Sequence, residues 1–227
     1  SLGLPQSTIS ERTLLRRTCV NILGFDVVVA IAVGNEGELL WMYQVPDNVR
    51  VPGSCPPPWL HPEQAEANPG ELSCVVAVGA TDDYDKIAYF SSRGPVTWQN
   101  TEYGDYAYQP GIGLIRPDVC APGVGVISLD YEDNEGLVEM SGTSMATPCV
   151  AGVMALMLEK GPKLTPEEIC MLLETTAYKI DPHKNNKTGS GRIDALAAVE
   201  NINTSDFSIV DAFIDDSNME TANANMH

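Results

Sequence analysis

The stretch "FDVVVAIAVGN", Phe25 to Asn35, decides the fold. From Val27 to Val33 it carries β-branched and small apolar residues on both alternating faces, as expected of a strand buried on both sides in a parallel sheet. Upstream, from Gln6 to Leu23, Ile9, Leu14, Leu15, Val20 and Leu23 recur at helical spacing, with Arg12, Arg16 and Arg17 on the polar side. A helix feeding a doubly buried strand predicts α/β layering.

Downstream segments extend the pattern. "SCVVAVGA" (Ser73 to Ala80) is a second buried strand, and "KIAYFSSRGP" (Lys86 to Pro95) a shorter one ending in a turn. "GVGVISL" and "LVEMSG" are strand candidates on either side of the acidic turn "DYEDNEG". Thr143 to Lys160 is the strongest helix. In "LTPEEICMLLETTA", Thr165 is the N-cap, Pro166 the first helical residue and Glu168 the closing member of a capping box. "TGSGRIDALAAVEN" predicts a glycine turn into a short helix. Seven prolines between Glu38 and Gly70 mark a long surface excursion, and loops of that length tend to be functional. Residues 1–200 form one domain on this reading, and 201–227 a polar, acidic tail.

Composition excludes several function classes. The 227 residues carry a formal net charge of −18, which disfavours binding nucleic acid through its phosphates. Val27 to Val33, the longest apolar run, is far short of the roughly 20 residues a membrane helix needs. Of the six cysteines, Cys19, Cys74 and Cys170 lie in apolar periodic segments, so free thiols are favoured over a disulfide framework. Cys55, in "GSCPPPW", is the one least expected to be buried. No Cys/His cluster has zinc spacing, and the chemistry calls for no cofactor. "TDDYD" (Thr81 to Asp85) offers carboxylates for calcium, but a solvated acidic turn is the favoured reading.

Chemistry concentrates in "MSGTSMATPCVAGV", Met140 to Val153. Ser144 stands where turn-forming residues give way to an apolar helix, which suits either a helix cap or a nucleophile. Gly142 and Ala146 are small enough to admit a substrate backbone. A helix N-terminus sets backbone N–H groups and partial positive charge beside the hydroxyl. Pro148 removes a donor early in the helix. Asn35 follows the first buried strand directly; strand C-termini are where ligand groups gather in α/β sheets, and its amide suits a developing oxyanion.

"GTSMATP" with "VAGV", "VVVAIAVGNEG", "SSRGP", "RPDVCAPG" and the opening "SLG" resemble, in the family's order, the subtilisin-like serine proteases. The resemblance spans about Ser1 to Asn201. It implies the C-terminal portion of a three-layer α/β fold, a mostly parallel sheet flanked by helices, and a serine endopeptidase acting on peptide or protein substrates. It makes Ser144 the nucleophile and Asn35 the side-chain oxyanion donor. Ser1, Leu2 and Gly3 pair with substrate backbone beside a specificity pocket, whose opposite wall is Ala32 and Gly34. With small residues there, the pocket is expected to be open and apolar. The family's calcium sites and mostly secreted location are implied too, placing the protein outside the cell or in its envelope; the free thiols argue the other way.

Two departures stand out. Cys149 replaces a histidine common within the family's serine motif. More fundamentally, the family's catalytic aspartate and histidine precede "SLG", and none of His61, His183 and His227 has the context of the family's base. The expectation is therefore a C-terminal fragment, inactive alone, whose partner is the N-terminal half carrying Asp and His. The alternatives are a two-piece enzyme and a non-catalytic scaffold domain of the same fold.

Overall fold

The computed structural model describes residues 8–39, 42–56, 74–106 and 113–202. Ser1, Leu2 and Gly3, the second half of the proline-rich excursion with His61, and the tail beyond Ile202 lie outside them.

Helix α1 spans Ile9–Leu23 and opens on a capping box: Thr8 accepts from the Glu11 N–H, and the Glu11 carboxylate accepts from the Thr8 N–H at 2.8 Å. Three parallel strands follow, β1 (Val29–Ala32), β2 (Val75–Thr81) and β3 (Val119–Pro122). Their order is β1-β2-β3, with Val29 opposite Val75 and Val78 opposite Val119. Strands β4 (Val126–Leu129) and β5 (Leu137–Met140) form a separate antiparallel hairpin. Three helices complete the chain: α2 (Thr143–Lys160), α3 (Pro166–Thr175) and α4 (Ala195–Glu200).

Every residue of β2 is buried, and its alternation divides the interior into two cores. Val76, Val78 and Ala80 face α2, α3 and α4, meeting Val150, Met157, Leu173 and Ala198. Val75 and Ala77 face the other way, toward Cys19 of α1, Cys55, Val96 and Trp98. Helices thus cover both faces of a parallel sheet, the α/β architecture expected. Among the described residues no helix is long and apolar enough to cross a membrane.

Four details correct the sequence-based expectations. On α1 the faces are partly exchanged: Arg16 is fully buried, while Ile9 and Leu14 are 55% and 63% exposed; Arg17 stays exposed, and Leu15, Val20 and Leu23 are half-buried. The Arg16 guanidinium pairs with both oxygens of Asp105 at 2.7 and 2.6 Å and stacks on Tyr103 and Trp98, whose ring centroids lie 3.8 and 4.8 Å away. Apolar spacing cannot foresee a charge neutralised by a partner 89 residues away. Cys55 is buried in the second core, not exposed. Lys86 to Pro95 is no strand; a single bridge joins Ile87 to Thr81. Finally, "RPDVCAPG" contains β3, whose flanking prolines hid four strand residues.

All six cysteines are free thiols. Burial pushes the Cys74 thiol up to about 12 and raises those of Cys120 and Cys170, so these sulfurs stay protonated and unreactive near neutral pH.

The reversal on α1 sets a measurable contrast. Arg16→Ala strands the Asp105 carboxylate and should destabilise the fold by about 3–5 kcal/mol. Leu14→Gln, at an exposed position, should change it by no more than about 0.5 kcal/mol. Denaturant unfolding of the two variants checks the difference.

Candidate active site

Helix α2 begins at a glycine. Gly142 is its N-cap and no side chain caps it, so Ser144 sits inside the first turn and does not serve as a cap. The helix-cap reading of this serine is therefore set aside. Its side is half-buried, between buried Thr143 and Ala146. Pro148 lies within the helix, and the Thr147 hydroxyl donates to the Thr143 carbonyl at 2.7 Å.

Asn35 lies just beyond the C-terminal end of β1 and reaches α2 directly. Its amide oxygen accepts two hydrogen bonds, from the N–H and the hydroxyl of Thr143, both at 2.9 Å. With the oxygen engaged, the orientation of the amide is fixed and its NH2 faces the glycine turn. A Cβ added to Gly142 would lie 3.3 Å from Asn35 Nδ2 and 3.7 Å from the Ser144 backbone nitrogen. The Asn35 amide nitrogen and the Ser144 backbone nitrogen thus both lie near the space that residue 142 leaves open by having no side chain. Thr143 was not singled out in the sequence. Its only signal is that it directly precedes the serine.

Other site residues fall out differently. Ala146 is fully buried in the first core, so its small size serves packing against the sheet and not a substrate. Ala32 is buried and ends β1. Gly34 has φ +112, a conformation that favours glycine. A Cβ there would lie 2.9 Å from both Arg50 Cγ and Ser92 Oγ, and would also meet the Glu36 carboxylate. The wall expected to be open and apolar is thus backed by an ion pair: Arg50 Nε donates to the two Glu36 oxygens at 2.9 and 3.0 Å. Cys149 is exposed, its thiol donating to the Met145 carbonyl at 3.5 Å.

The acidic turn is occupied by its own backbone and by an arginine. Asp82 accepts from the Tyr84 and Lys86 N–H groups, and Asp85 pairs with Arg192. Among the described residues no three His, Cys, Asp or Glu side chains are grouped to hold a metal. A cavity of about 450 Å³ between α1 and the segment 42–54, lined by Arg12, Tyr43, Val51 and Val96, holds none of the site residues. His183 lies in the turn after α3, where its carbonyl accepts from Asn185.

Comparison with known proteins identifies the family. A family model described as "Subtilase family" matches residues 6–191. The serine protease AprX of Bacillus subtilis is 34% identical over 192 residues, which is 76% of this chain and 35% of AprX. The human membrane-bound transcription factor site-1 protease is 31% identical over 140 residues, 60% of this chain and 12% of that protein. The chain therefore spans about a third or less of the length of these relatives. Among solved structures, the prenylagaramide maturation protease PagA superposes with a TM-score of 0.54 at 22% identity, covering 88% of this chain and 57% of that one.

If the space beside Gly142 receives an oxyanion, Gly142→Ala should obstruct it. In the complete protein, turnover at Ser144 should fall by about tenfold or more. Stability should also fall, by about 1–3 kcal/mol, because Gly142 at φ +159 holds a conformation that side chains rarely adopt. Steady-state kinetics with a parallel thermal melt distinguishes a blocked site from a damaged fold.

Proposed function

The chain belongs to the subtilase family, and on that premise we propose that it supplies the nucleophile, oxyanion hole and part of the substrate pocket of a serine endopeptidase. The observation that carries this reading is that Asn35, its amide oxygen held by Thr143, sets its NH2 beside Gly142 and the start of α2, next to Ser144.

Ser144 Oγ attacks the scissile carbonyl, and its proton passes to a histidine. The C–N π-delocalisation of the amide is lost and the carbonyl oxygen takes up negative charge. That charge is met by the Asn35 amide and the Ser144 N–H, aided by the positive end of α2. As the tetrahedral species collapses, the C–N bond breaks and the histidine returns its proton to the departing amine. Water, deprotonated by the same base, then releases the acyl group from Ser144. Proton carriers and the hole suffice for this chemistry, so no cofactor enters it; a calcium ion would act on structure alone.

The histidine and its aspartate come, on this reading, from a segment N-terminal to Ser1. Strand β1 pairs only with β2 among the described residues, leaving one edge to accept another strand. Phe25 and Val27, just before it, are 80% and 47% exposed. An unpartnered edge next to apolar surface is a feature proteins ordinarily cover. Residues 1–200 then complete one catalytic domain, with Ser1, Leu2 and Gly3 as the strand that pairs with substrate and 201–227 as an appended tail. The location proposed is extracellular or in the cell envelope.

In the complete protein, Ser144 should be labelled by a fluorophosphonate. Asn35→Ala should lower kcat by on the order of 10²–10³, the known magnitude for losing such a donor in this family, with little change in KM. A change confined to KM would remove Asn35 from the oxyanion hole. Residues 1–227 alone should show no turnover of a generic peptide substrate, since a serine without a base is a poor nucleophile. Turnover abolished by Ser144→Ala would show that this chain holds its own base.

A further inference from the structure

We propose that the outward face of the β4–β5 hairpin is a docking surface for protein substrates. It takes them by an extended segment in which aliphatic residues alternate with lysine or arginine. That the segment belongs to a substrate rests on the protease reading above; the chemistry of docking does not.

The register of the hairpin sorts its side chains. Residues directly opposite one another share a face, so Ile127, Leu129, Leu137 and Glu139 lie on one side, and Val126 and Val138 on the other. Val126 and Val138 are half-buried, which marks theirs as the inner side. The outer side nevertheless carries three large aliphatic chains: Ile127, Leu129 and Leu137 are 64%, 79% and 68% exposed. Single exposed apolar residues are ordinary, but three joined by register make a patch, and patches mark interaction surfaces. Backbone is available as well. Among the described residues β4 and β5 pair only with each other, so each strand has an edge open to another.

Charge decides what covers this face. Asp130, Glu132, Asp133 and Glu135 form the turn, and Glu139 stands opposite Ile127. No lysine, arginine or histidine occurs between Arg116 and Lys160. The turn is held in shape: Asp130 and Asp133 accept from the N–H groups of Glu132 and Glu135 at 2.9 and 3.0 Å. A second copy of the chain would bring like charges together, and an anionic lipid surface or nucleic acid would be repelled in the same way. An aliphatic segment bearing lysine or arginine covers the patch and neutralises its rim together. Added as a strand, it sends alternate side chains to one face, aliphatic ones toward Ile127 and Leu129 and basic ones toward the acidic rim.

Position decides the source. The hairpin issues from β3, at the opposite edge of the sheet from β1, where the segment N-terminal to Ser1 is proposed to add. Strand β5 ends at Met140, and Gly142 already caps the helix that bears Ser144. The Gly125 N–H donates to the Ser141 hydroxyl at 2.9 Å, fastening the base of the hairpin to this turn. A protein held on the hairpin is thus held next to the nucleophile.

The test titrates the complete protein with a fluorescent peptide of alternating valine and lysine, read by anisotropy, beside a control with glutamate for lysine. The lysine peptide should bind more tightly than the control by about tenfold or more, and more weakly as salt is raised. The double variants Leu129→Ser/Leu137→Ser and Glu132→Lys/Glu135→Lys should each weaken it by about tenfold. All four positions are exposed, so the fold should be little affected. Appended to a peptide substrate, the valine–lysine sequence should lower KM by about tenfold with little change in kcat. Both variants should lose that gain and cleave the unextended peptide as before. No binding by the complete protein, as when another segment already covers the face, overturns the inference. Binding that both variants leave unchanged does so too. Binding at the hairpin without a gain in KM overturns the substrate as occupant. An unextended peptide left uncleaved, with Ser144 unlabelled by a fluorophosphonate, overturns the protease reading and the substrate with it, and the anisotropy then reports on docking alone.

Discussion

The buried pair Arg116–Asp118 holds together the parts on which the site depends. Arg116 is fully buried and Asp118 is 1% exposed. Withdrawing two such charges from water costs several kcal/mol each, and is sustained only when every remaining proton and lone pair finds a partner. Here they do. The guanidinium donates to Asp118, to the Gly53 carbonyl at 2.9 Å and to the Cys55 carbonyl. The other Asp118 oxygen accepts from the Ala77 N–H of β2 at 2.7 Å. Burial pushes the Asp118 carboxyl up, and Arg116 and Lys184 oppose that push. Lys184 also reaches Glu174 of α3 at 2.7 Å, joining the helix to the same network.

From that tie the site follows in two directions. Fixing the carbonyls of Gly53 and Cys55 fixes the segment that begins at Arg50, and Arg50 in turn locates Glu36 behind Gly34. On the other side, β3 leads into Gly123, whose N–H bonds the Thr81 carbonyl and whose own carbonyl accepts from Gly142 at 2.7 Å. The start of α2 is therefore hung on the ends of β2 and β3, and Asn35 hangs on the end of β1. The register of three parallel strands sets how far Asn35 stands from Ser144. In open α/β sheets the strand C-termini are where ligands bind, and here that rule has a visible mechanical cause.

What could be read from the sequence was whatever is encoded locally. The doubly buried strands gave β1 and β2, helical spacing gave α1, and the Thr165–Glu168 box gave the start of α3 with its cap. Ser144 and Asn35 were singled out because each lies at the junction of an apolar run and a glycine turn. What escaped notice depends on partners remote in sequence. Arg16 looked like surface because Asp105, Trp98 and Tyr103 are far along the chain. Cys55 looked exposed because its loop is rich in proline and glycine, while its burial comes from Arg116 binding its carbonyl. Thr143 gave no pattern of its own, although its two bonds orient the amide. Glu36 and Arg50, 14 residues apart on an irregular excursion, carry no periodicity that would pair them.

The division of labour within the site has a physical logic. Stabilising an oxyanion demands donors that do not reorganise as charge develops, because reorientation during the reaction would cancel the gain. On the function proposed above, Asn35 would meet that demand through Thr143, and the Ser144 N–H through the first turn of α2. Both constraints are satisfied when this part of the chain folds. A base, by contrast, must only reach the hydroxyl, and it can be brought by a separate element. Strand β1 suits that arrangement: it is an outer strand of the described sheet, and Asn35, the proposed oxyanion donor, follows just beyond its end. A strand added along its free edge would end beside Asn35 if it ran parallel to β1. The edge that supports the hole would then also align the element that activates the nucleophile, and hydroxyl and base would come into register through the same ladder of hydrogen bonds.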